Sequence, residues 1–178
     1  MKRWAALLKG VNVGGNRKLP MAELRVLVEG LGYDNVRTLL ASGNVVFDAP
    51  GPAADIVATL EAALAEHGCK TDVLLRDLAE IDAVIAANPF AHAAEDHPSH
   101  LLVVFHRDPF PGGLIDNVAE IYTGPEHLHA EGRELFVDYP ESIGESKLDR
   151  AMAKLKFPAL ATARNWNTVN KLRALLDV

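Results

Sequence analysis

Two hydrophobic periods alternate along this chain, and together they mark out its elements. Residues 3–9 (RWAALLK) are a short apolar run ended by Gly10, which reads as a buried strand. Met21, Leu24, Leu27, Val28 and Leu31 then recur at helical spacing behind Pro20, which suits a first helical turn, and Gly32 stops them. Residues 35–42 and 44–48 flank Gly43-Asn44, a hairpin signal. Ile56, Leu60, Ala63 and Leu64 give a second amphipathic helix closed by Gly68, and residues 70–76 another strand.

The second half repeats the order more loosely. A helix over 77–87 opens with Asp77-x-x-Glu80, a capping-box variant, and Asn88-Pro89 ends it. Residues 91–99 read as a polar loop and 100–107 as a strand. A helix over 112–121 and a hairpin of 126–131 with 134–139 around Gly132 follow. Ser146 caps a helix carrying Leu148, Met152 and Leu155 that stops near Pro158. Residues 160–164 give a last strand, and Asn165 or Asn167 caps a final helix. Gly-Gly pairs at 14–15 and 112–113 each follow a first strand.

The expected fold class is therefore α+β: a tandem duplication of two ferredoxin-like βαββαβ repeats with mostly antiparallel sheets. Residues 1–76 form the first repeat and 77–98 a linking helix and loop. Residues 99–178 form the second repeat plus a C-terminal helix.

Composition places the chain among soluble globular proteins. Hydrophobic residues are 49% and charged residues 24% of 178. No apolar run approaches the ~20 residues of a membrane span, so no membrane partner is expected. The basic start has too short an apolar stretch for a signal peptide. Cys69 is the only cysteine, which suits a reducing cytoplasm.

Charge adds one feature. The net charge of −6 argues against a nucleic-acid partner. Residues 1–18 carry +5, residues 48–149 carry −15 and residues 150–178 carry +5. Either the basic ends neutralise the acidic middle, or they converge into one patch for an anionic ligand.

Three blocks resemble a bacterial family, the domain of unknown function 1697 family: LLKGVNVGGNRKLPMAEL, LLASGNVVF, and the C-terminal pair DYPESIGESKL and ATARNWNTVNKL. The resemblance implies two ferredoxin-like α+β repeats, bacterial cytosolic proteins, and no activity. It carries over signature positions only, among them Gly10, Asn12, Gly14, Gly15, Ser42, Gly43, Asn44, Ser146, Lys147, Leu148 and the run Arg164 to Thr168.

Those positions suggest a binding site. Gly10-x4-Gly15 has the glycine spacing of a Walker A loop, but Asn16 and Arg17 stand where Lys and Ser or Thr are needed. An NTPase is thus disfavoured, and the glycines serve either loop geometry or an anion. In a ferredoxin-like sheet the loop 10–19, the turn 42–44 and the start of the fourth strand reach one edge, gathering Lys9, Asn12, Gly14, Gly15, Lys18, Ser42, Asn44 and Lys70. Arg164, Asn165, Trp166 and Asn167 open the last helix. There they either cap and pack it or offer donors to an anion, with Trp166 stacking on a base. A cavity between the repeats would join the two groups.

Cofactors and metals are not expected. His92, His97, His100, His106, His127 and His129 show no metal-ligand spacing. Cys69 reads as a small apolar filler. Ser146 and Lys147, as helix neighbours, do not face each other as a nucleophile and base would. Three function classes stand: a module binding a nucleotide, phosphate ester or carboxylate; an enzyme acting on such a ligand; and a structural or interaction protein.

Overall fold

The structure is a computed structural model and describes residues 1–15 and 17–178. Asn16, which stands where a Walker A loop has lysine, lies outside the described residues. The chain is α+β and forms two compact units, Met1–Asp82 with Lys171–Val178, and Ala83–Asn170.

The first unit contains β1 (Lys2–Leu8), α1 (Met21–Gly30), β2 (Asp34–Leu39), β3 (Asn44–Ala49), α2 (Ala53–Glu66) and β4 (Val73–Arg76). Its four strands pair antiparallel in the order β2-β3-β1-β4. Trp4, Ala6 and Leu8 alternate onto one face of β1 and join a core with Leu24 and Val28 of α1 and with Ile56, Leu60 and Leu64 of α2. Those helical residues recur at i and i+4, which is why each helix buries a single stripe. The α2 terminus is a Schellman motif. Gly68, at φ 87°, donates to Ala65, and Cys69 donates to Leu64.

Next come α3 (Leu78–Ala87), α4 (Ala91–Asp96), β5 (Leu101–His106), α5 (Leu114–Ile121), β6 (His127–Glu131), β7 (Glu134–Asp138), α6 (Leu148–Met152), β8 (Ala161–Asn165) and α7 (Trp166–Leu176). The second sheet is also antiparallel, in the order β6-β7-β5-β8. Val118, Leu135, Val137, Tyr139 and Leu148 form the buried centre of one of its cores. The unit boundaries fall inside α3 and α7, and Arg173 of α7 pairs with Asp82 of α3 at 2.8 Å within the first unit.

Matching registers run through both sheets. Ala5 of β1 sits between Val46 and Arg76; Val103 of β5 sits between Phe136 and Arg164. Both arginines are buried, and each donates to the carbonyl of the preceding residue at 2.9 and 2.8 Å. The next residue caps the following helix in each case. Asp77 Oδ1 accepts the Glu80 N–H at 2.8 Å, and Glu80 returns a bond to the Asp77 N–H; Asn165 Oδ1 accepts the Thr168 N–H at 3.0 Å.

Several expected boundaries move. Residues 91–96, read as a polar loop, are helical, and Pro98–His100 form a 3-10 turn. Three alanines in 91–94 favour helix over the polar neighbours, and Ala93 is buried. The strand expected over 70–76 starts only at Val73, because Thr71 turns its hydroxyl to the Lys9 carbonyl at 2.5 Å. The helix expected through Leu155 ends at Met152 and continues as tight turns before Pro158.

Candidate functional site

Loop 9–19, turn 40–43 and the approach to β4 meet at one edge of the first sheet, because β1 pairs with both β3 and β4. Leu8 donates to Gly43 at 2.8 Å, and Lys9 donates to Asp72 at 3.0 Å. Asn12 organises the loop. Its Oδ1 accepts the Leu19 N–H at 2.7 Å, and its Nδ2 donates to Leu19 at 2.8 Å and to Ala41 at 2.7 Å. Asn12 has φ 55°, a left-handed conformation that asparagine tolerates better than most residues.

Gly14 and Gly15 are exposed with open space above them. Arg17 Nη1 donates to the Lys9 carbonyl at 3.3 Å. Arg17 and Lys70 also border a hollow of about 610 Å³ with Glu61, Thr71 and Asp72. Lys18 is exposed and Ser42 half-buried. Asn44 is fully buried, and its Nδ2 donates to Leu39 at 2.7 Å and to Ser42 Oγ at 3.0 Å, closing the hairpin.

The basic start also meets the acidic middle. Lys2 reaches Asp77 at 2.5 Å, Arg3 reaches Asp48 at 2.7 Å and Lys9 lies 4.0 Å from Asp72. For these three the neutralising alternative describes the contacts.

The C-terminal candidates are integrated into β8 and α7. Arg164 is 6% exposed, donates to Thr162 Oγ1 and the Ala163 carbonyl at 2.8 Å each, and burial pushes its pKa down to about 10. Asn165 is the helix cap. Trp166 is buried, and Asn167 is exposed.

A second concavity, unforeseen from the sequence, lies in the second unit. It measures about 440 Å³ and is lined by residues 121–126, Tyr139 and parts of 141–147. Among the lining residues, Glu126 accepts hydrogen bonds from Tyr122 Oη at 2.7 Å and from the Ser146 hydroxyl. Ser146 Oγ in turn accepts the Leu148 N–H at 3.1 Å, which ties the start of α6 to the hollow. Burial pushes Glu126 up, but the Ser146 and Tyr122 hydroxyls outweigh it and hold the carboxyl below its ordinary range. A Cβ on Gly124 would meet the Tyr122 hydroxyl and the Glu126 carboxylate, so a side chain there would have to displace both ends of that contact. Ser146 and Lys147 stand out as signature positions within DYPESIGESKL, but nothing in the sequence joins that block to residues 121–126.

The histidines gather around a carboxylate. Asp138 is 1% exposed and accepts from His97 Nε2 at 2.7 Å and His127 Nδ1 at 3.2 Å. His92 packs edge-on against His97 at 5.3 Å. Among the described residues no group of three His, Cys, Asp or Glu side chains is arranged to hold a metal. Cys69 is buried, and burial raises its thiol pKa.

An α+β chain with two four-stranded antiparallel sheets and these loops has a recorded counterpart. Residues 1–136 match the model of the family described as protein of unknown function (DUF1697), and the chain belongs to that family. The match ends inside β7, so the blocks at 138–148 and 161–172 lie beyond it. Among solved structures the chain is similar to the conserved bacterial protein SP0830 from Streptococcus pneumoniae. That likeness has a TM-score of 0.76 and 26% identity over 98% of each chain. No curated protein matches it. No helix among the described residues is long and apolar enough to cross a membrane.

Proposed function

We propose that the protein is a binding module for a small anionic ligand, a nucleotide, phosphate ester or carboxylate, taken at the glycine-rich edge of the first sheet. The Asn12 clasp carries the reading. Three hydrogen bonds from one side chain brace the loop against itself and against turn 40–43. Gly14, Gly15, Arg17 and Lys18 are then offered beside a loop root already held by Asn12, which lowers the entropic cost of binding. Arg17 and Lys70 border the adjoining hollow, while its acids are engaged. Glu61 accepts the Val73 N–H at 2.9 Å, and Asp72 faces Lys9. An oxyanion there gains charge-assisted hydrogen bonds from both cations. Asn44, Arg164, Asn165 and Trp166 stand outside this reading, because their side chains serve the strands and helix that hold them.

The scaffold is read as two copies of one ferredoxin-like unit, each β-α-β-β-α-β with a trailing helix. Support comes from the shared strand order, the matching registers of Arg76 and Arg164, and the equivalent caps Asp77 and Asn165. On this reading α3 and α7 are counterparts.

The test is thermal denaturation with pyrophosphate, ATP and citrate against sodium chloride at matched ionic strength. A ligand at a hundredfold excess over its dissociation constant adds about 2.7 kcal/mol, a clear rise in Tm. Arg17→Gln and Lys70→Gln should each reduce that rise. The reading is lost if no polyanion exceeds the salt control, or if both variants keep the full effect.

A further inference from the structure

The hollow of the second unit has a charge opposite to that of the first unit's edge. Glu126, Glu141 and Glu145 line it against the single cation Lys147. Acids alone would mean little, but Tyr139 adds an independent observation. This side chain is only 5% exposed, lines the hollow, and among the described residues its hydroxyl has no hydrogen-bond partner. Buried polar groups ordinarily find partners. The Tyr139 oxygen is not fully enclosed, so this otherwise buried side chain presents an accessible acceptor at the hollow it lines.

We propose that this hollow binds a small organic cation, an alkylammonium with free N–H donors, between Glu126 and Tyr139. The carboxylate supplies the charge. Tyr122 and Ser146 each donate to one of its oxygens, which fixes its orientation and leaves lone pairs for an ammonium. Burial raises the Tyr139 pKa, and so does its proximity to Asp149 and Glu126; the phenol therefore stays neutral and its oxygen accepts an N–H. Two tyrosine rings in the lining add the aromatic surface that ammonium groups favour over inorganic ions. A volume of about 440 Å³ suits a molecule of several heavy atoms. Ser146 spends its proton on Glu126 and accepts from Leu148, so it acts as a brace for the carboxylate.

The experiment is a titration of the full chain, labelled with nitrogen-15, with 1,4-diaminobutane and n-butylamine, followed by amide shifts. Parallel titrations use magnesium chloride and sodium acetate. Saturable shifts confined to 121–126 and 139–148 are expected with the amines alone. Tyr139→Phe removes one oxygen and Glu126→Gln one charge; each should weaken amine binding about tenfold or more. Lys147→Gln, at an exposed side chain, should tighten it. The amide spectrum of each variant reports folding separately from binding. Absence of localised shifts overturns the proposal. So does an equal response to magnesium or acetate, or weaker amine binding by Lys147→Gln.

Discussion

Gly43 and Val11 are in such close contact that no side chain fits between them. A Cβ on Gly43 would overlap Val11 Cγ2 and lie 3.0 Å from Leu8 Cβ, and Gly43 itself has φ 85°. The turn that closes β2 onto β3 thereby rests directly on the root of the glycine loop. Gly43→Ala combines left-handed strain of about 1–2 kcal/mol with overpacking of about 1–3 kcal/mol. Urea unfolding should show a loss of roughly 2–5 kcal/mol. Adding Val11→Ala should recover the steric part and leave the backbone part; no recovery would mean the contact is not the cause.

Asp48 sets an acid limit. Hydrogen bonds from Arg3 at 2.7 and 3.0 Å, with a further one from Asn35, hold its pKa at about 2 against an ordinary 3.8. The folded pKa is depressed, so the stabilisation is complete above the ordinary value and is lost as pH falls through about 2. The pair is partly solvated, which leaves on the order of 1 kcal/mol. Stability of the wild type should fall between about pH 4 and pH 2 more steeply than that of Asp48→Asn. Parallel curves would remove Asp48 from the account.

Trp4 presents a buried indole N–H without a partner among the described residues, in a side chain only 6% exposed. Such an orphan costs about 1–3 kcal/mol. Trp4→Phe removes it along with some packing, so the two effects nearly cancel and stability should change by less than about 1 kcal/mol. Trp4→Ala should cost about 3–5 kcal/mol. A Phe variant as damaged as the Ala variant would show that the N–H is satisfied.

Cys69 is 3% exposed and its thiol pKa is raised by burial. Neither access nor thiolate is available in the folded state. Reaction with a disulfide reagent at mild alkaline pH should be about a hundredfold slower or more in buffer than in urea, and should track local opening. Equal rates would place the thiol at the surface.

Elements were legible in the sequence wherever a local signal sufficed. Ile56, Leu60 and Leu64 specify a helix by spacing alone, Gly132 marks a two-residue turn, and Asp77-x-x-Glu80 forms its reciprocal cap. The candidate edge was partly legible too, because strand order brings loop 9–19 and turn 40–43 together. What the side chains do there was not. Asn12 and Asn44 read equally well as ligand donors, and only the fold directs them to Leu19, Ala41 and Leu39.

The chain by itself determined the two rounds of strands and helices, because hydrophobic period and turn residues act over a few neighbours. Tertiary structure alone decided the fate of the polar residues. Arg164 belongs to the net-basic C-terminal segment just before a helix, yet its place opposite Val103 on the second sheet buries it. Tyr139 and Ser146 share one sequence block while Tyr122 and Glu126 lie outside it, and only the fold brings all four to one hollow. Burial and partnership depend on contacts between residues distant in sequence, and those contacts form only when the sheets pair and the helices pack.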